Sequence, residues 1–187
     1  MLTQWYADLA WLGADRAQPG VLIEADGERI RTVTRGIAAA PAGAVHLAGL
    51  TLPGLANAHS HAFHRALRGR AQRGAGTFWS WREQMYAVAT RLDPDTYYAL
   101  ARATYAEMAL AGITCVGEFH YLHHGPGGRR YDDPNAMGTA LLAAAADAGI
   151  RITLLDTCYL LAAAGSPAHA LAGAQLRFGD RDASGWA

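Results

Sequence analysis

Two stretches of this chain repeat one plan, and that plan leaves few folds open. "DPDTYYALARATYAEMALAG" runs into "ITCVGEFHY", and "DPNAMGTALLAAAADAG" runs into "IRITLLDTCY". Each first half opens with an aspartate able to cap a helix, Asp93 or Asp133, and a proline at the first helical position, Pro94 or Pro134. Each closes on a glycine suited to the left-handed residue after a helix, Gly112 or Gly149. Leu100, Thr104, Met108 and Ala111 fall on one helical stripe, as do Leu141, Leu142, Ala145 and Ala148. An apolar strand follows each glycine at once. Helix-to-strand units with such short turns build a parallel sheet with crossover helices, which makes the fold class α/β.

A further strand precedes the repeat. Leu50, Leu52 and Leu55 lead into "NAHSH" through a nearly continuous apolar run, as expected of a strand covered on both faces. Three buried strands are therefore expected, ending near His59, Glu118 and Asp156. A (β/α)₈ barrel needs eight strands and about 250 residues, so a 187-residue chain reads as the truncated opening part of one. The tail after Ala162 reads as a loop leading to a new helix near Asp182.

The beginning of the chain has a different texture. Val21 to Ala25 and Arg29 to Val33 alternate in polarity around Asp26-Gly27, a strong hairpin signal. A short strand is expected around Val45 to Leu47, with His46 on its surface. The expected organisation is a small β-rich (sandwich) segment over 1–49 and the first three β/α units of a barrel over 50–187.

Composition excludes some partners. With 16 basic and 16 acidic residues, the chain lacks the basic face that nucleic acid requires. No apolar run reaches the length of a membrane span, and the best, "ITLLDTCYLLAAAG", carries Asp156. Residues 1–20 show no basic-then-apolar secretory pattern, so a cytoplasmic location is expected. Cys115 and Cys158 sit in apolar runs and read as reduced, buried thiols.

The chemistry is concentrated in "TLPGLANAHSHAFHRALRG". On a strand, residues two apart point the same way, so His59 and His61 can aim both imidazoles at one point. Two imidazoles are an incomplete set for Zn²⁺, which takes three or four ligands and leaves a place for water in catalytic sites. Imidazole also accepts Fe, Ni and Cu. His-x-His alone is common, but here it ends a strand after Pro53-Gly54.

"LPGLANAHSHAFHRALRG" resembles the first-strand signature of the amidohydrolase superfamily, in which such a histidine pair ends strand one of a metal-dependent barrel. "FWSWREQMY" (residues 78–86) and "GEFHYLHH" (residues 117–124) narrow the resemblance to the formimidoylglutamate deiminases, and it extends through essentially the whole chain. The resemblance implies one zinc ion held by His59 and His61, with its remaining ligands and the proton-shuttling groups lying beyond residue 187. It implies hydrolysis of N-formimidoyl-L-glutamate to N-formyl-L-glutamate and ammonia, and a homodimer at full length. No catalytic residue is then expected within this chain.

A dicarboxylate substrate needs fixed cationic donors, and a guanidinium fork matches a carboxylate. Arg82 corresponds to a substrate-binding arginine in these enzymes; read alone, it would pair with Glu83 or another acid on a surface helix. Tyr121 corresponds to a tyrosine that contacts substrate. His64 stands where these enzymes often carry glutamine, and is expected to touch substrate while adding a titratable group beside the metal. Glu118 is expected to orient Arg82 or a ligand histidine. His120 has no assigned role, and His123 and His124 read as solvated loop residues. Trp79 and Trp81 could wall a pocket or pack a barrel. Two other readings remain: a related deaminase or chlorohydrolase acting on a heterocycle, and an inactive fragment lacking the later ligands.

Overall fold

The computed structural model describes residues 2–71, 76–162, 170–180 and 182–187. Contacts divide the chain into two units, Met1–Gly54 and Leu55–Ala187. The first is a four-stranded sheet of β1 (Leu2–Ala10), β2 (Gln18–Asp26), β3 (Arg29–Thr34) and β4 (Val45–Thr51), in the order β3-β2-β1-β4. Among the described residues it is one open layer, whose small core is Ala7, Ala10 and Val21. The hairpin turns at Asp26-Gly27, where Gly27 takes φ +58. On β4, His46 Nε2 lies 2.6 Å from Asp8 Oδ1, a surface pair.

The second unit is a three-stranded parallel sheet, β5 (Leu55–Ser60), β6 (Ile113–His120) and β7 (Arg151–Asp156), in the order β5-β6-β7. Crossovers run through α1 (Phe78–Ala89), α2 (Pro94–Leu110) and α3 (Ala136–Ala148); α4 is the short Ala183–Trp186, capped by Asp182. Asp93 starts α2 as expected. Its carboxylate accepts from the Thr96 N–H while the Thr96 hydroxyl oxygen accepts from the Asp93 N–H, a reciprocal cap stabilising the helix by about 1 kcal/mol. Tyr97, Ala101, Thr104 and Tyr105 are its buried face, and Ala111 is exposed.

Four expectations change. Asp133 does not cap α3: its Oδ1 accepts from the N–H of Asn135 two residues on, so Pro134 stays in the turn and the helix begins at Ala136. The apolar run before the histidines is two strands, broken at Pro53-Gly54, and Leu50, Leu52 and Leu55 are exposed. β5 is an edge strand with one hydrogen-bonded neighbour, which leaves it uncovered. On α3, Leu142 is exposed while Met137, Leu141, Ala144 and Ala145 are buried. Cys158 is exposed and Cys115 half-buried, both as free thiols.

One irregularity matters for the site. Asn57 pairs with Val116 and Ser60 with Glu118, so Ala58 and His59 together oppose Gly117. This extra residue makes a bulge, and the carbonyl of Ala58 presses on Gly117. A Cβ at position 117 would stand 2.9 Å from that oxygen. Gly117→Ala is expected to destabilise the fold by about 1–3 kcal/mol, read from urea unfolding, because two backbones must separate.

Candidate active site

His59 leaves the bulge exposed at the strand end, and His61 sits one residue past the strand, extended (φ −133, ψ 91), just before a 3-10 turn over Ala62–Leu67. The two rings meet edge to face with centroids 4.8 Å apart, and His59 Nε2 lies 2.9 Å from His61 Nε2. His61 Nδ1 lies 3.1 Å from the Phe119 carbonyl. A carbonyl only accepts, so that nitrogen carries the proton and Nε2 holds the lone pair. Burial, followed by the nearness of His59, holds the His61 pKa below the ordinary histidine value, which keeps the ring neutral.

The turn after His61 returns His64 to the same place. Its ring lies 4.5 Å from that of His61, and its Nε2 is 2.9 Å from the Tyr121 hydroxyl. Burial first, then repulsion from His61 and His59, lowers the His64 pKa to about 4. The Tyr121 phenol is pushed the other way, upward, chiefly by burial. The pair is thus a neutral imidazole against a neutral phenol. Phe63 and Trp81 complete an aromatic surround, with ring centroids 4.4 and 5.4 Å from His64.

Arg82 is on α1, which Thr77 and Ser80 cap reciprocally. Its Nε donates to the Tyr86 hydroxyl at 2.7 Å, and its guanidinium lies 5.4 Å from the Trp79 ring and 5.1 Å from the Tyr86 ring. Among the described residues no carboxylate pairs with it, so the surface ion pair with Glu83 does not form. Trp79 stays 65% exposed, whereas Trp81 packs on His64. Residues 50–181 match the model of the amidohydrolase family. The chain belongs to that family.

Within it, the chain is 46% identical over 120 residues to a formimidoylglutamate deiminase of Pseudomonas aeruginosa, an alignment covering 63% of this chain and 26% of that protein. It superposes with a TM-score of 0.87 and 36% identity on an amidohydrolase from Brucella melitensis, covering 95% of this chain and 39% of the other. It also matches atrazine chlorohydrolase from Arthrobacter aurescens TC1 complexed with zinc, with a TM-score of 0.66, 27% identity, and coverage of 81% and 35%. The chain therefore spans well under half the length of these relatives. No helix among the described residues is long and apolar enough to cross a membrane.

Other residues of this amidohydrolase chain sit differently from expectation. Glu118 is 0% exposed and does not meet Arg82; its Oε1 accepts from the Ala62 N–H at 2.6 Å, which pins the turn immediately after His61. Burial raises its pKa, and the Ala62 N–H with the Ser60 and Tyr105 hydroxyls pulls it partly back. His123 and His124 are buried, not solvated, because both their N–H groups donate to the Arg177 carbonyl at 2.9 Å. His124 Nε2 then meets Asp180 Oδ1 at 3.2 Å. Arg177 itself was invisible to sequence reasoning. It is 1% exposed and ties together the carbonyls of His124, Ala89 and Leu92.

Proposed function

We propose that the chain is part of a zinc-dependent deiminase that hydrolyses N-formimidoyl-L-glutamate to N-formyl-L-glutamate and ammonia, on a sheet that opens a (β/α)₈ barrel in proteins of its relatives' length. The observation that carries the reading is the convergence of the His59 and His61 nitrogens beside the His64–Tyr121 pair. Two nitrogens on one zinc, each roughly 2.0–2.1 Å from it, stand about 3.4 Å apart in a tetrahedral site. The pair at 2.9 Å needs to open by only a few tenths of an ångström to fit. Bound there, the ion supplies Lewis acidity that activates water toward the amidine carbon.

The remaining steps fall to the chain's own side chains. Phe119 holds His61 in the tautomer whose Nε2 lone pair faces His59. His64 and Tyr121, both uncharged, can trade one hydrogen bond with each other for one with the formimidoyl nitrogen. Arg82, without a carboxylate partner among the described residues and set against two aromatic faces, offers its fork to a substrate carboxylate. Further metal ligands and the proton shuttle belong, on this reading, to segments outside these 187 residues.

A second reading has its own support. The aromatic surround of His64 could stack a heterocycle, and a chlorohydrolase of triazines shares the fold. Arg82→Met separates the two in a polypeptide of the relatives' length that carries this chain. The KM for formimidoylglutamate is expected to rise roughly 30- to 100-fold, the worth of a charged hydrogen-bonded contact. Hydrolysis of an uncharged ring substrate should change less than about threefold on the same reasoning. An unchanged KM for the dianion would remove Arg82 from the site and the dicarboxylate from the proposal.

A further inference from the structure

A second group of ligand-type side chains lies on the opposite face of the same sheet. His120 ends β6 and Asp156 ends β7, and the two are register partners. Phe119 turns toward His59 and His61, so its neighbour His120 turns the other way. There it stacks 6.3 Å from Tyr97 of α2 and lies against Gly138 of α3. His123 comes back from the loop with its ring 4.9 Å from that of His120. One donor atom from each of His120, His123 and Asp156 lies within 4.8 Å of the other two. Together they border a cavity of about 310 Å³ at the start of α3.

The hydrogen bonds leave this group short of a positive charge. His123 Nε2 is 2.9 Å from the Thr157 carbonyl, so Nε2 carries a proton and Nδ1 is the atom turned to the group. That Nδ1 faces Asp156 Oδ1 at 3.5 Å. His120 is 3% exposed, and its Nδ1 has no hydrogen-bond partner among the described residues. Burial lowers its pKa to about 3, so the ring is neutral and offers a further lone pair. A carboxylate with two ring nitrogens turned to it is the surroundings of a cation. The 3.5 Å separation is also close to the ~3.4 Å edge of a tetrahedral zinc site.

We propose that His120, His123 and Asp156 form a second site for a borderline divalent transition ion such as zinc, separate from the His59–His61 pair. Two imidazoles and one carboxylate suit that class of ion, and the cavity leaves room for water as the fourth ligand. Seated there, the ion bridges the ends of β6 and β7 and the loop between β6 and α3. It acts as a clip on the helix side of the sheet, not as a reactant. Gly138 keeps the place open: a Cβ there would come 3.2 Å from Leu154 Cδ2 and 3.6 Å from His120 Nε2.

Cobalt(II) tests this, since its visible absorption reports tetrahedral coordination without any turnover. The probe is Co²⁺ alone, titrated into the 187-residue chain and three variants. The double variant His59→Ala/His61→Ala is expected to keep the absorption and a Co²⁺-dependent rise in Tm. Asp156→Asn is expected to weaken Co²⁺ binding at this site by more than about 100-fold, beyond the 10–100-fold of an outer-sphere change. His123→Gln, which can still hydrogen-bond Thr157, should do the same if Asp156→Asn folds poorly. The proposal is overturned if the double variant loses all Co²⁺ binding, or if both single variants bind as the parent does. The latter result would leave His123 and Asp156 as a simple ion pair.

Discussion

Arg177→Met is expected to cost about 3–5 kcal/mol of folding free energy, seen as a fall in the urea midpoint at unchanged m. The side chain is 1% exposed and makes three charge-assisted bonds: Nε to the His124 carbonyl at 2.7 Å, Nη2 to Leu92 at 2.6 Å, and Nη1 to Ala89. These acceptors come from the end of α1, the approach to α2 and the loop after β6. Methionine fills a similar volume but takes the donor from the His124 and Leu92 carbonyls, at about 1–3 kcal/mol for each that water cannot reach, and leaves Ala89 only the long 3.4 Å bond from the Leu92 N–H. The Arg177 carbonyl adds a second clasp, accepting from both His123 and His124, and methionine keeps that one. Lysine should recover only part of the loss, since an ammonium cannot fork toward three separated acceptors. A cost under about 1 kcal/mol would show that water or a neighbouring donor replaces the guanidinium.

Arg177 also marks where sequence reading fails. Nothing near it in the chain signals burial: it ends a short 3-10 turn in a tail rich in small residues. Its partners lie 53, 85 and 88 residues away, and only tertiary contact joins them. His123 and His124 read as solvated from sequence for the same reason: what buries them arrives with Arg177. Local signals did better. The Asp93–Thr96 cap, Gly112 (φ +83) and Gly149 (φ +71) are all where the residue types place them. Asp133 failed because an aspartate has two local partners to choose between, and the Asn135 N–H was nearer than the first turn of α3.

The histidine pair falls between these cases. Strand alternation correctly brings His59 and His61 together, yet the strand is not regular there. The bulge at Ala58 and His59 and the extended His61 after the strand end set the 2.9 Å approach. The Phe119 carbonyl that fixes the His61 tautomer is contributed by β6, 58 residues away. Spacing therefore gives the imidazole pair, while the neighbouring strand gives its orientation.

His61→Ala is accordingly expected to have the largest effect on activity. In a polypeptide of the relatives' length, kcat/KM for formimidoylglutamate should fall by at least roughly 10³-fold, beyond the 10–100-fold of an outer-shell change. Zinc held at the His59–His61 pair should fall in parallel, because the lone pair facing His59 is gone. Secondary structure should hold, since the ring is half-buried and Glu118 pins the following turn through the Ala62 N–H, not through the imidazole. His61→Asn separates position from ligation. Its amide can still donate toward the Phe119 carbonyl, but it cannot set a ring nitrogen against His59. If asparagine restores zinc and turnover, His61 matters for its bond to Phe119. If it restores neither while the fold is intact, the role lies in the Nε2 lone pair. A loss under about tenfold in His61→Ala would place the chemistry away from this pair and leave the amidohydrolase fold with a different site.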